Sequence, residues 1–443
     1  MTDFDRERTT PTAAGKQSQH SLRRRQLLAT AAGTAALSTA GCTDTYETIV
    51  GSETEDGETV TIGVLAPEPE SDFNGRAIAR SARVARDLLN ETGGINGRTV
   101  ELAVGNTSGS PLEARREYQR LVLEEDAAVT IGVSTSEVLE AIIDDIAEQE
   151  TLHITAGAAT SSVSELVRED YEQYKYHFRA GPVNDYDLGQ AQIDFLGDMA
   201  PDLGWDSIAL LAEDYEWNRG AWETFHDEQS AIDLEIAMEE RYPPATDDFS
   251  GIYETAEAEG ADAVFISTAH TGTDAVVDWT AQEPELEFGG IHVPMQLPTY
   301  YDAVGGACRF AVGQSSAPLG AEVTAETPTF EDAYQDAYGE SSPVYTGYFA
   351  YDAVALFAEA AAQAETVDSA DLVPVLEDIE FTGSAGQIEF YGRDHEFPHD
   401  LAYNRGDTLY FQWQEDDAGN GTQEVIWPDE HATTEYVEPD WLY

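Results

Sequence analysis

Basic residues are scarce in this chain: 22 Lys plus Arg stand against 86 Asp plus Glu, a net charge of −64, and lysine occurs only at Lys16 and Lys175. A surface of that sign cannot neutralise phosphates, so nucleic acid is excluded as a partner. So much like charge repels itself unless ions screen it within a few ångströms, which predicts a halophilic protein. Cysteine is nearly absent, at Cys42 and Cys308 alone, so no disulfide framework exists, and Cys308 reads as a small buried hydrophobe. No apolar run approaches the roughly 20 residues that a membrane span needs. A Gly-x-Ser-x-Gly elbow, a His-Glu-x-x-His helix and a phosphate-binding loop are missing too, so nothing in the pattern pairs a nucleophile with a base or grips a nucleotide. Neither an enzyme nor a cofactor is expected. His395 and His399, among Asp394, Glu396 and Asp400, would suit a metal only on a helix, and Pro398 between them argues for a solvated loop.

What is present begins with an address. Arg23, Arg24 and Arg25 precede a weakly apolar run of about fourteen Ala, Thr, Gly and Leu residues, which ends at Gly41-Cys42. Residues 1–42 read as a signal sequence. The paired arginines resemble the twin-arginine signal of proteins exported already folded. Thr39-Ala40-Gly41-Cys42 resembles a lipoprotein cleavage box with Thr39 at a position usually aliphatic; Cys42 would become the lipid-bearing terminus. Simple secretion is the alternative. Residues 43–58, with Glu47, Glu53, Glu55, Asp56 and Glu58, form an acidic tether. With 42% hydrophobic and 10% aromatic residues, the remainder can build cores rather than stay disordered, and its length suggests two domains.

Hydrophobic periodicity then alternates between the two regular structures. Thr59 to Leu65 is β-branched; Ile78, Ala82, Ala85, Leu88 and Leu89 recur at helical spacing; Thr99 to Val104 is again a strand. Pro111 opens a helix carrying Ala114, Tyr118, Leu121 and Val122 on one face, and Ala127 to Ile131, Val138 to Ala147 and Leu152 to Thr155 continue the alternation. A second series follows Phe178-Arg179-Ala-Gly-Pro182, with strands near 207–212, 234–238 and 263–267 separated by helices. Regular βα repeats predict an α/β fold with parallel sheets covered on both faces. A long apolar helix at 349–364 and β-rich edge structure from 386 to 413 complete the pattern.

Ile62-Gly-Val-Leu-Ala-Pro67, Phe73-Asn74-Gly75 and Leu89-Asn-Glu-Thr-Gly93-Gly94-Ile-Asn96-Gly97-Arg98 resemble the start of the type I periplasmic binding proteins for branched-chain amino acids, the receptors of ATP-driven importers. The similarity continues, in order, through Arg241-Tyr-Pro-Pro-Ala-Thr-Asp247, Gly260-Ala-Asp262 and Tyr345-Thr-Gly-Tyr348-Phe-Ala-Tyr351-Asp352-Ala353. It implies two Rossmann-like lobes joined by three crossings, with solute held between them by hinge closure. Lobe 1 would take 59–180 and 314–380, lobe 2 would take 181–313 and 381–425, and 426–443 would be a C-terminal tail. The implied protein is a monomeric, haloarchaeal-like lipoprotein at the cell surface, working with the permease and ATPase subunits of an ABC importer. A ligand-sensing subunit of a signalling complex is the alternative from another class; a secreted hydrolase is a third.

Ser134, Thr135 and Ser136 stand where a strand ends and a helix begins, so hydroxyls and exposed N–H groups converge at the positive end of a helix dipole. The resemblance implies a ligand-binding serine there. It also implies a backbone carbonyl and a threonine hydroxyl from the next strand end, at Ala158 and Thr160, an aromatic closing over the ligand at Trp217, and Phe73 in the first loop. One departure matters. At Gly290-Ile-His-Val-Pro-Met-Gln296, where the family presents an acid to the ligand ammonium, Gln296 carries no charge, and Ala269-His270 replace an aromatic. The expected solute is therefore a small polar organic molecule, an amino acid, an amide, a urea-like compound or another small carboxylate.

Overall fold

The structure, a computed structural model, describes residues 59–442 apart from 244 and 271–273. The signal sequence, Cys42 and the acidic tether lie outside the described residues. No described helix is long and apolar enough to cross a membrane.

Five parallel strands form the first sheet: β1 (Val60–Ala66), β2 (Val100–Asn106), β3 (Val129–Gly132), β4 (His153–Ala156) and β5 (His177–Gly181), in the order β2-β1-β3-β4-β5. The second sheet holds β6 (Ser207–Glu213), β7 (Glu235–Tyr242), β8 (Ala263–Thr268) and β9 (Glu287–His292), also parallel, in the order β7-β6-β8-β9. In both, the second strand lies on one side of the first and the third lies on the other. Loops leaving the two neighbouring strand ends therefore diverge and open a crevice, the usual place for a ligand in such sheets.

The central strands β1, β6 and β8 read as nearly continuous apolar runs because both faces are covered. In β6, Ile208 and Leu210 enter one core while Ala209 and Leu211 enter the core on the opposite face, as the two-residue pleat requires. Each of the Ile and Leu side chains, fully buried, is worth about 1.5–3 kcal/mol. The helix Phe73–Glu91 is started by Asp72, whose carboxylate accepts from the N–H of Gly75 at 2.8 Å. Gly75 is required there, since a Cβ would lie 1.5 Å from the carbonyl oxygen of Pro67. Tyr345–Ala364 packs along this helix, so residues far apart in sequence complete the first lobe.

Three antiparallel strands, β10 (Val312–Ser315), β13 (Leu409–Glu415) and β14 (Gly421–Trp427), form a third sheet beside the second; β11 (Phe381–Gly383) and β12 (Gly386–Ile388) form a hairpin against the first lobe. Two expected boundaries move as a result. Phe390 stacks edge-on against Phe178 of β5 and Asp400 bridges to Arg179 of the same strand, so the chain stays with the first sheet to about 401 rather than leaving it at 381. Residues 426–442, within the expected C-terminal tail, pack against the second lobe. Ile426 and Trp427 are buried, the Tyr436 hydroxyl donates to Glu287 at 2.6 Å, and Trp441 stacks edge-on against Trp279 while its indole donates to the carbonyl of Pro284.

Candidate functional site

The crevice begins with a forced turn. β3 ends at Gly132, φ 107°, followed by Val133, φ 67°, a conformation that a β-branched residue adopts at a cost of about 1–3 kcal/mol. The strain is held by the bond from the N–H of Val133 to the carbonyl of Leu65 (2.9 Å) and by the N–H of Ala158 donating to the carbonyl of Val133 (3.0 Å). Only glycine fits at 132, because a Cβ would sit 2.3 Å from the Leu65 oxygen. The turn places Ser134 and Ser136 at the N-terminus of the helix Ser136–Gln149 and at the wall of a cavity between the lobes.

That cavity has about 520 Å³ of empty space, counting the part open to solvent. The size suits one small solute and excludes a polymer. The first lobe contributes Ser134, Ser136, Gly157, Ala159 and Tyr345; the second contributes Leu188, Trp217, Ala269, His270, Ile291, Val293 and Gln296; Pro182, Gln314 and Ser316 lie on the crossings. Trp217, Ala269, Ile291 and Val293 form one apolar cluster with the first lobe's core, so the lobes meet around the cavity.

Of the residues anticipated from sequence, Ser134, Ser136, Trp217, His270 and Gln296 come together here, whereas Thr135, Ala158, Thr160 and Phe73 do not line the cavity. Thr135 occupies the N-cap of its helix. Ala158 and Thr160 are displaced by register: Gly157 and Ala159 face the cavity, and the alternating positions turn away. The carbonyls of Ala158 and Thr160 both accept from the buried Arg179 guanidinium, and the Thr160 hydroxyl bonds Glu140 at 3.2 Å. Phe73 starts its helix and packs against the first lobe's core. Gln296 reaches the cavity, but its amide also clips the lobes together, donating to the carbonyl of Gln314 (2.9 Å) and accepting from the N–H of Tyr345 (3.1 Å).

The residue that organises the second lobe's side is Glu213, at the end of β6, which the sequence reading passed over. Its fully buried carboxylate accepts from the Trp217 indole (2.8 Å), the N–H of Ala269 (2.9 Å), the N–H of His270 (3.1 Å), the His270 ring at Nδ1 (2.7 Å) and the Thr268 hydroxyl (3.0 Å). Burial would push this carboxyl up, but the hydrogen bond and charge of His270, with the bonds from Trp217 and Ala269, outweigh it and hold the group below the ordinary carboxylate range. Two cavity walls, the indole and the imidazole, are thereby fixed by one anion. The Tyr215 ring stacks on His270 at 4.2 Å from the other side. Across the cavity, the Tyr345 hydroxyl donates to the carbonyl of Gly157 at 3.1 Å, and burial pushes its phenol up, so it stays neutral.

Behind the cavity the crossings carry a buried ionic cluster. Asp185 accepts from the N–H of Ser161 in one lobe and of Gly220 in the other, both at 2.9 Å, and burial, opposed by these bonds, moves its carboxyl up to about 6. Arg179 pairs with Asp400 at 2.9 Å, and Asn184 donates to the second oxygen of Asp400 at 3.1 Å. His395 and His399, read as a solvated pair, have separate surroundings: His399 is buried, stacked on Phe178 and bonded to Glu377 at 3.0 Å, whereas His395 lies on the Tyr391 ring.

The sequence profile described as periplasmic binding protein matches residues 59–408. No curated protein sequence matches the chain. Among solved structures, the fold is similar to that of the branched-chain amino acid transporter substrate-binding protein LivJ from Streptococcus pneumoniae in complex with isoleucine, at 19% identity and a TM-score of 0.69, covering 84% of this chain and 100% of that one. An ABC transporter substrate-binding protein from Sphaerobacter thermophilus is similar at 23% identity and a TM-score of 0.68, over 84% and 97% of the two chains. A solute-binding protein of an ABC transporter from Rhodopseudomonas palustris, in complex with 3,4-dihydroxybenzoic acid, is similar at 18% identity and a TM-score of 0.69, over 86% and 98%.

Proposed function

Because the chain belongs to the periplasmic binding protein family, we propose that it is the extracytoplasmic receptor of an ABC importer. It closes two lobes on a small polar organic solute and delivers that solute to permease and ATPase subunits. The observation that carries this reading is the cavity itself: it is of single-solute size, sits at the strand ends of both parallel sheets and is walled by groups from both lobes. Closure is then a shift between open and closed populations that the solute biases by binding both lobes at once. Export by the twin-arginine route and a lipid on Cys42 would keep the receptor at the membrane beside its importer.

Relatives of this fold hold isoleucine and 3,4-dihydroxybenzoic acid, so both amino acids and acids without an amino group are solutes to test. Mass spectrometry of solute released from protein purified in molar salt tests the receptor role directly. One stoichiometric small molecule is expected. Ser136→Ala and Trp217→Ala should each weaken its binding about tenfold or more by calorimetry, consistent with a lost hydrogen bond or apolar wall. Recovery of no solute, together with unchanged affinity in both variants for any solute that is found to bind, would overturn the proposal.

A further inference from the structure

Among the described residues lining the cavity there is no Asp, Glu, Lys or Arg, and His270 is the one side chain able to carry a positive charge. The nearest acid, Glu213, already accepts from at least five donors, counting those among the described residues, which fills the capacity of a carboxylate. An α-amino acid would therefore bury its ammonium with no anion to meet it and an imidazole close by, an expensive arrangement. The opposite charge is provided for. Glu213 holds the His270 ring through Nδ1, and a protonated ring held this way offers Nε2 as a second donor. The Tyr215 ring fixes the plane of the imidazole from one side, and Leu188, Ile291, Val293 and the Trp217 indole offer an apolar bed.

Resting on the receptor reading above, we infer that the cavity selects a small carboxylic acid with no ammonium group, the carboxylate meeting His270 as held by Glu213. The arrangement favours a carboxylate over the matching amide, because a hydrogen bond between opposite charges is roughly twice as strong as a neutral one.

The test is calorimetry on the full mature chain in molar salt with matched probes: isocaproate, isocaproamide and leucine, then benzoate and benzamide. Expected are a carboxylate bound about tenfold or more tighter than its amide and than leucine, and loss of that preference in His270→Gln. Thermal unfolding of His270→Gln checks that it is folded; if it is not, the wild-type probe order decides alone. Leucine or an amide binding best, or no binding of either carboxylate, would overturn the inference. The receptor reading fails on a different result, the absence of any co-purifying or bound solute.

Discussion

Glu213→Gln should destabilise the second lobe far more than any surface carboxylate does. Among the described residues, the two carboxylate oxygens divide at least five donors, with the Trp217 indole, the N–H of Ala269 and the His270 ring on one, and the Thr268 hydroxyl and the N–H of His270 on the other. Glutamine keeps one acceptor oxygen, so in either orientation of the amide at least two donors face an NH₂ group. A buried donor without an acceptor costs about 1–3 kcal/mol; in the cheaper orientation the Thr268 hydroxyl can turn to accept, which leaves the N–H of His270, so the loss is about 1–3 kcal/mol. Against a typical stability of about 5–15 kcal/mol this is a sizeable fraction, and it would lower the melting temperature by roughly 2–10 °C. Thermal and urea unfolding followed by circular dichroism read it. The control is Glu216→Gln, which breaks an ion pair with Arg219 whose side chains are each 38% exposed, and should change stability by less than about 0.5 kcal/mol. The sign with pH follows from the depressed carboxyl. Stability from Glu213 is present above the unfolded value near 4.5 and is lost as pH falls through the lower folded value, so the gap between wild type and Glu213→Gln should narrow in acid. If Glu213→Gln melts with Glu216→Gln at neutral pH, the carboxylate does not organise the cavity wall.

Other expectations concern the crossings and the core. Burial first, then the charge of Asp400, push the Asp187 carboxyl up to about 7, with Asp185 adding and Tyr391 and Arg179 opposing. A carboxyl raised this way contributes stability below the unfolded value of 3.8 that is lost as pH rises through about 7, so Asp187→Asn should flatten the pH profile and be more stable than wild type at pH 8.5 by about 1 kcal/mol or more; equal urea midpoints of wild type at pH 5.5 and 8.5 would refute this. Cys308 is fully buried, and burial pushes its thiol up, so a thiol reagent should label it only as fast as the second lobe opens; labelling at the rate of the urea-unfolded chain would show it to be accessible.

Much of the architecture was legible because each βα unit carries its own periodicity. Val60–Ala66, Ser207–Glu213 and Ala263–Thr268 are apolar runs whose neighbours repeat at helical spacing, and such local signals need no knowledge of the partner strand. The strand end carrying Ser134 and Ser136 and the place of Trp217 were legible for the same reason. Glu213 was not. It is one acid among 86, and its role depends on Thr268, Ala269 and His270, more than fifty residues away, which only the pairing of β6 with β8 brings beside it. Register explains why Gly157 and Ala159 line the cavity and Ala158 and Thr160 do not, since in an extended segment a shift of one residue exchanges the faces. The late return to the second lobe was hidden too, because the hairpin β11–β12 and Leu401 are apolar in a way that either lobe could bury.

The same late return has a consequence for how the molecule is made. β10 waits for β13, nearly a hundred residues downstream, and the first sheet waits for the helix Tyr345–Ala364, so neither lobe has its full complement of neighbours until almost the whole chain has left the ribosome. Pairings of such long sequence separation form slowly, because loop closure must precede any reward from contact. Both lobes therefore complete their folding late, and until the last strands and helix arrive the sheets keep apolar faces uncovered.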